Sequence, residues 1–308
     1  MRKFDIVNQG ISQGDLAMFM ECREKMRWKL LGFMPKEPSF PLTFGTVVHD
    51  VIELVSEDVR TKKIRGIPKE SYVKSHTVAV ERRWKKEYPR ASAKALQDLE
   101  LSLLFAEAVM PTYFQYWHED LAQMNWLSLE SFFDMPYVLP DGRKTRLKGR
   151  FDGFFEKKGM LWLSEHKTKS RIEEGNLIDI LPFDLQTNLY IHVLRRTVKR
   201  LPHGTLYDII RRPGLKQGKG EPMAKFAKRC ADDVKERPDW YFIQFEIRIT
   251  SREMDKWDLE LQDLIKDFYD WWEGKAGHYR NPGACETKYG RCPMLDACAG
   301  RTERYIRK

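Results

Sequence analysis

The chain has 308 residues, 42% of them hydrophobic and 12% aromatic, enough to bury a sizeable core in one large domain or two small ones. Its formal charge of +9 and pI near 9.2 favour an acidic partner, of which nucleic acid is the commonest. There is no apolar run of about eighteen residues, and Met1-Arg2-Lys3-Phe4-Asp5 has no apolar leader, so neither a membrane span nor a secretory signal is expected, and the expected compartment is the cytoplasm.

Residues 12–34 carry a helical apolar stripe of Leu16, Phe19, Met20, Met26 and Leu30, with Ser12 as N-cap and Cys22 inside the helix. A Pro-rich loop with Pro35, Pro38 and Pro41 follows. A second helix is predicted from about Gly45, with His49 in its first turns. Residues 56–126 are charged, aromatic and predicted mostly helical, with Pro68, Pro89 and Pro111 as breaks. They hold two basic clusters, Arg60-Thr61-Lys62-Lys63-Ile64-Arg65 and Arg82-Arg83-Trp84-Lys85-Lys86, each of which is also what a solvated helix face looks like. Trp84, Tyr113, Tyr116 and Trp117 are candidates for stacking on bases, and equally for core packing.

Strands are predicted from Leu127 to Leu139, Thr145 to Phe155 and Met160 to Lys167, the first two joined at Asp141-Gly142 and the last two at Glu156-Lys157-Lys158-Gly159. This hairpin places Asp152 and Glu165 on adjacent strands, and Glu165 and Lys167, two apart, on one face. Two carboxylates converging with an ammonium suit a hard cation such as Mg²⁺ or Mn²⁺, and the lysine can orient or deprotonate a water. A plain cross-strand salt bridge is the alternative. Helix returns over Ile180 to Arg196, where Gln186 and Tyr190, four apart, share a face. Two further strands follow, Thr205 to Arg211 and Trp240 to Ile249. Between them Arg211 to Gly220 is a basic, Gly-rich loop. Residues 251–273 form a long amphipathic helix.

Of five cysteines, Cys285, Cys292 and Cys298 crowd the C-terminal tail, Cys22 lies far upstream and Cys230 is left over as a free thiol. In a reducing compartment such a set favours metal binding over disulfides.

Four motifs in this order resemble the RecB-like branch of the PD-(D/E)xK nucleases: Gly45-Thr46-Val47-Val48-His49, Gly149-Arg150-Phe151-Asp152, Glu165-His166-Lys167 and Gln186-Thr187-Asn188-Leu189-Tyr190. One upstream and three C-terminal cysteines also resemble the branch members with an iron–sulfur staple, such as the CRISPR-associated RecB-like exonucleases and the AddB-type helicase–nucleases. The resemblance implies an α/β fold: a central mixed β-sheet flanked by helices (a restriction-endonuclease-like core). The nuclease domain would span residues 1–308, with its core at about 45–55 and 127–250, a helical insertion at about 56–126, and a staple joining Cys22 to the 285–298 segment. It implies a 4Fe–4S cluster on Cys22, Cys285, Cys292 and Cys298, with a structural zinc as the metal alternative. It further implies Mg²⁺ or Mn²⁺ held by Asp152, Glu165, His49 and the backbone carbonyl of His166, with Lys167 helping to generate the attacking hydroxide and Gln186 and Tyr190 beside the site.

The implied activity is metal-dependent exonucleolytic hydrolysis from DNA ends, in recombination, repair, phage replication or spacer capture. A structure-specific endonuclease or a non-catalytic DNA-binding assembly subunit are the alternatives. The Gly-x-x-x-x-Gly-Lys-[Ser/Thr] loop is absent, so any unwinding falls to a helicase or recombination protein partner.

Overall fold

In the computed structural model, residues 4–63, 66–172, 174–287 and 290–307 are described. Met1, Arg2 and Lys3, and Ile64 and Arg65 of the first basic cluster, lie outside the described residues. In chain order the elements are β1 (Ile11–Ser12), α1 (Gln13–Glu21), α2 (Arg23–Leu30), β2 (Phe33–Pro35), α3 (Phe40–Arg60), α4 (Glu70–Glu87), α5 (Ala93–Tyr116), α6 (His118–Ala122), β3 (Asn125–Val138), β4 (Lys144–Lys157) and β5 (Met160–Lys169). Then come α7 (Glu174–Ile180), α8 (Leu185–Val198), β6 (Gly204–Arg211), α9 (Met223–Glu236), α10 (Pro238–Tyr241), β7 (Phe242–Arg248) and α11 (Ser251–Trp272). The tail holds β8 (Glu286–Thr287), β9 (Gly290–Arg291), α12 (Leu295–Cys298) and β10 (Tyr305–Arg307).

The central sheet runs β1-β4-β5-β6-β7, with β3 on the other edge of β4. It is mixed: β3/β4, β4/β5 and β6/β7 are antiparallel, β1/β4 and β5/β6 parallel. The β4–β5 turn is a two-residue loop, Lys158 and Gly159, both at positive φ (53° and 73°), as the right-handed twist of a hairpin requires. The β4–β5 ladder reaches only from Lys157↔Met160 to Gly153↔Ser164. The next pair would be Asp152 and Glu165, and there the strands fork.

Helices cover both faces. On one, α3 packs Phe44, Val47, Val48, Val51 and Val55 against α4, α5 and α9, with Ile210 and Phe242 from the sheet. On the other, α1, α8 and α11 pack against Leu147, Phe151, Leu161 and Leu163. The predicted α/β architecture with a mixed sheet between helices is what forms.

Several boundaries differ from the sequence reading. Residues 12–34 do not form one helix. Ser12 does cap α1, in a box with Asp15, but Cys22 is extended (φ −163°, ψ 115°) and splits α1 from α2. Residues 33–35 pair with 305–307 as strands. The second helix begins at Phe40 rather than Gly45 and takes Pro41 into its first turn, where the missing N–H has no helical partner to lose. His49 is therefore mid-helix. Pro111 lies inside α5 without ending it, whereas Pro68 and Pro89 fall between helices. The helix predicted from Ile180 starts at Leu185, after a 3-10 turn over Leu181–Phe183. Trp84 and Tyr113 are core residues at 4% and 1% exposure, which removes them as stacking platforms. Within the basic clusters Arg60 pairs with Glu57, Lys63 with Asp58 and Lys85 with Glu81, while Arg83 of α4 reaches Asp50 of α3. Cys230 is buried in α9, its thiol pushed up to about 11 by burial.

Gly149 on β4 sits beneath two rings: a Cβ there would lie 2.4 Å from Phe133 and 3.0 Å from Tyr190. Gly149→Ala should therefore lower unfolding stability by about 1–3 kcal/mol through overpacking, read as a shifted urea midpoint at unchanged slope.

Candidate active site at the β4–β5 fork

Beyond Gly153 and Ser164 the β4–β5 ladder gives out, and side chains take its place. The backbone N–H of His166 donates to Asp152 Oδ2 at 2.8 Å. Along β4, Thr145, Leu147 and Phe151 face the α8 layer, so Asp152, Arg150 and Lys148 turn to the other face, toward α3. Along β5, Leu161, Leu163, Glu165 and Lys167 face α8. The fork is the gap through which groups from both faces meet.

From the α8 side, Lys167 Nζ lies 2.5 Å from Glu165 Oε1 and 2.7 Å from Gln186 Oε1. Gln186 Nε2 donates to Glu165 Oε1 at 2.7 Å, and Gln13 Nε2 donates to Gln186 Oε1 at 3.2 Å. Tyr190, one turn further along α8, accepts from the backbone of Arg150 and the side chain of Gln186, while burial raises its phenol. Asp184 caps α8 through the N–H of Thr187, which aims the first turn at Lys167.

From the α3 side, His49 Nδ1 lies 3.6 Å from Asp152 Oδ1. Burial would lower the His49 imidazole, but Asp152, with Glu165 and Glu130 behind it, raises it to about 9. Burial opposes ionisation of Asp152 too, yet His49 and His166 hold it well below the usual carboxylate range. Glu165 is fully buried, and burial together with Asp152 pushes it up to about 8 against the pull of Lys167. Burial would likewise lower the Lys167 ammonium, but Glu165 raises it.

All the residues singled out for chemistry on the hairpin and its flanking helices, His49, Asp152, Glu165, His166, Lys167, Gln186 and Tyr190, come together here. The side chain of His166 is more engaged than its motif position implies. It lies between two carboxylates, Nδ1 3.6 Å from Asp152 Oδ2 and Nε2 3.8 Å from Asp208 Oδ2. The Tyr113 hydroxyl donates to Asp208 in turn.

Sequence reasoning missed Glu130. It stands on β3 between the paired Leu129↔Gly153 and Ser131↔Phe151, where it faces Asp152, at φ 43°, a left-handed conformation rare in a strand. Its carboxylate, the Asp152 carboxylate and the His49 imidazole all lie within 4.8 Å of one another, alone in doing so as a potential metal-holding group among the described residues. Like charges directly opposite on a ladder destabilise it. Burial and Asp152 accordingly push Glu130 up to about 7, opposed by Arg150, whose Nε is 2.8 Å away. The acidic letter was visible in the sequence, but its register depends on a bulge at Leu127.

These residues fit a hard or borderline cation. Two carboxylates and an imidazole already converge, and Glu165 Oε2 is buried with no hydrogen-bond partner. Such an orphaned oxygen is costly unless something electropositive faces it.

The cysteines gather elsewhere. Cys22, Cys285, Cys292 and Cys298 line one cavity of about 250 Å³ together with Lys25, Arg280 and Asn281. The backbone N–H of Asn281 points to Cys22 Sγ at 3.4 Å. No three of the sulfurs lie within 4.8 Å of one another, so they do not close on a single point.

A family model described as the PD-(D/E)XK nuclease superfamily matches residues 10–299. Among solved structures, one from Eubacterium rectale, provisionally titled an exonuclease, aligns at a TM-score of 0.44 and 13% identity over 94% of this chain and 86% of that one. A structure titled SSO0001 aligns at 0.22 and 18% identity over 50% of this chain and 68% of that one. No curated protein matches the chain. No helix among the described residues is long and apolar enough to cross a membrane.

Glu165 makes a pH prediction. With its carboxyl raised from the ordinary 4.5 to about 8 in the folded protein, the folded state holds a proton that the unfolded state releases. Its contribution to stability therefore falls as pH rises from 4.5 to about 8 and is level above that. In chelator, Glu165→Gln should flatten this fall; an unchanged slope of melting temperature against pH would place the proton elsewhere.

Proposed function

The chain belongs to the PD-(D/E)XK nuclease superfamily, and from that premise we propose that it is a Mg²⁺- or Mn²⁺-dependent deoxyribonuclease of the RecB-like branch, hydrolysing phosphodiester bonds from DNA ends. The observation that carries this reading is the convergence at the strand fork of Asp152, Glu165, Lys167 and His49 with the Gln186–Tyr190 face of α8. A non-catalytic DNA-binding subunit would have no reason to keep a buried carboxylate with an unpartnered oxygen beside a lysine.

In this reading Asp152, Glu165 and His49 hold the cation, and Glu130, which the same geometry adds, completes the acidic set. His166 contributes its backbone carbonyl, since its imidazole is already wedged between Asp152 and Asp208. When bound, the cation supplies Lewis acidity and lowers the pKa of its water. Lys167 is positioned by Glu165 and Gln186, so its ammonium can orient the water and offset charge on the phosphate. Gln186 fixes the orientation of both Glu165 and Lys167, and Tyr190 fixes Gln186. DNA is the substrate class, with recombination, repair, phage replication or spacer capture as settings and a helicase or recombination protein as a partner.

We also propose a 4Fe–4S cluster on Cys22, Cys285, Cys292 and Cys298. A tetrahedral zinc with Zn–S bonds near 2.3 Å would draw its sulfurs to about 4 Å of one another. Sulfurs that line one cavity without approaching so closely suit the larger cluster better. Its duty would be structural, joining the α1–α2 break to the tail and closing a long loop, worth several kcal/mol on the scale of a long-loop crosslink, roughly 3–5.

Two experiments test these readings. End-labelled linear DNA in Mn²⁺ should release mononucleotides or short products, while a covalently closed circle stays intact. Lys167→Ala should lower the cleavage rate by at least about a hundredfold while DNA binding persists. Discrete internal cuts would favour the structure-specific endonuclease, and full cleavage by the variant would move the chemistry to another site. For the tail, anaerobically purified protein should be brown with broad visible absorption, and Cys285→Ala should be colourless with a lower melting temperature. A colourless wild-type protein carrying zinc would replace the cluster with a single ion.

A further inference from the structure

The central sheet has two outer edges, β3 and β7, and they are finished differently. An unpaired edge offers its N–H and C=O groups to any strand that approaches, and chains guard such edges with bulges, prolines and charges. β3 is guarded: its register shifts between Trp126 and Ser128, Glu130 is left-handed, and Pro136 lacks a donor. β7 is not. Its sequence, Phe242-Ile243-Gln244-Phe245-Glu246-Ile247-Arg248, holds no proline or lysine, and it pairs with β6 in unbroken register from Gly204↔Arg248 to Ile210↔Phe242. No strand lies beyond it among the described residues.

Apolar surface gathers beside this edge. The 3-10 turn over Leu181–Phe183 rests against β7, and it carries Phe183 at 80% exposure, with Ile180 at 61% just before it. The turn is held by the buried Leu181 and by Asn188 Nδ2, which donates to the carbonyl of Pro182 at 3.0 Å. Trp240, half exposed, leads into β7, and the Arg211 guanidinium lies 3.7 Å from its ring centroid. The formal charge of the chain is +9, yet β7 itself is neutral, with Glu246 balancing Arg248. Two copies that repel each other over most of their surfaces can meet here without that cost.

We propose that β7 pairs antiparallel with β7 of a second copy of this chain, about a two-fold axis through Phe245. A two-fold contact uses the same patch on both partners, so the strand must be complementary to its own reverse. Phe245 is the middle residue of the seven, and only this register pairs them all. On one face Ile243 then lies opposite the partner's Ile247, and Phe245 opposite the partner's Phe245. On the other Phe242 lies opposite the partner's Arg248, and Gln244 opposite the partner's Glu246. Apolar residues meet apolar ones, a guanidinium meets a ring, an amide meets a carboxylate, and no like charges are opposed. A stable interface takes about 800 Å² from each partner. A seven-residue edge is short for that, and the exposed Phe183, Ile180 and Trp240 enlarge it.

The axis is level with the fork. Glu165 pairs with Tyr207, and Tyr207 pairs with Phe245. In the dimer, one row of the shared sheet runs from Glu165 to the partner's Glu165 across five strand spacings, about 24 Å. Both carboxylates lie on the same face of that sheet, because a two-fold axis perpendicular to it exchanges the copies without exchanging the faces. The pairing rests on the strand edge alone and holds whatever chemistry the fork performs.

Sedimentation of the wild-type chain across the micromolar range should give twice its 36.5 kDa mass. Ile247→Lys, which places a guard charge on the edge, should raise the dimer dissociation constant about tenfold or more. Under mild oxidation Phe245→Cys should crosslink to its own copy, since directly opposed Cα atoms lie about 4.5–5.5 Å apart, within disulfide reach. Ile243→Cys and Ile247→Cys should each fail to crosslink alone, their copies being about 14 Å apart along the strands, and should crosslink when the two chains are mixed. Peptide mapping against the oxidised wild type separates these bonds from any made by the native thiols. The crosslinks read the register whether or not Ile247→Lys folds. A wild-type chain that stays at 36.5 kDa overturns the proposal. So does a dimer that neither the Phe245→Cys chain nor the mixed pair crosslinks, or one that Ile247→Cys crosslinks by itself.

Discussion

The ladder between β4 and β5 stops one pair before Asp152 and Glu165, and the arrangement of the site follows from that stop. Had the pairing continued, the two carboxylates would sit directly opposite each other on one face of the sheet, a like-charge pair that destabilises a ladder. The fork removes the backbone between them. Asp152 then accepts the His166 N–H that the ladder would have used, so the lost main-chain bond is replaced rather than abandoned. This substitution lets groups from α3 and groups from α8 act on one point though they lie on opposite faces of the sheet.

The two helical layers serve different ends. The α8 side contributes a tightly hydrogen-bonded trio, Glu165, Lys167 and Gln186, backed by Tyr190. The α3 side contributes acids and an imidazole, Asp152, Glu130 and His49, each fixed by its own separate contact. Buried groups of like charge in a low-dielectric setting shift apart in their titration, which is why Glu165 and Glu130 rise while Asp152 falls. Such a set is costly to the fold alone and is the usual mark of a functional site. Behind it, His166, Asp208 and Tyr113 connect Asp152 to α5, so the helical segment before β3 bears on the site through polar contacts as well as through packing.

Much of this could be read from the sequence. Alternation along 145–167 gave the hairpin, its turn and the common face of Glu165 and Lys167, because strand parity is a local rule. The α8 spacing of Gln186 and Tyr190 is equally local. What escaped depended on distant partners. Nothing in Glu21-Cys22-Arg23 forbids a helix, and the extended Cys22 is stabilised by the tail: Asn281 bonds both its sulfur and the carbonyl of Glu21. Pro111 survives inside α5 among residues buried on several sides. The aromatics of residues 84–117 offered themselves as stacking platforms, yet Trp84 and Tyr113 are core, while Phe132 and Phe183 are the ones left in solvent. A helical aromatic at core spacing and a strand aromatic of unknown parity look alike until the register of β3 is known.

That register carries a consequence for how the strand can change length. The irregularity at Leu127 absorbs one residue, since pairing shifts between Trp126 and Ser128 and then stays constant through Val138. An insertion or deletion on the α6 side of Leu127 can be taken up by dissolving or enlarging the irregularity, leaving Glu130 and Phe132 where they are. The same single-residue change between Glu130 and Val138 has nothing to absorb it. It would turn Tyr137, Met135 and Phe133 outward and drive Asp134 and Pro136 into the α8 layer. β3 is thus elastic at one end and rigid at the other, and the boundary lies three residues ahead of the glutamate that faces the fork.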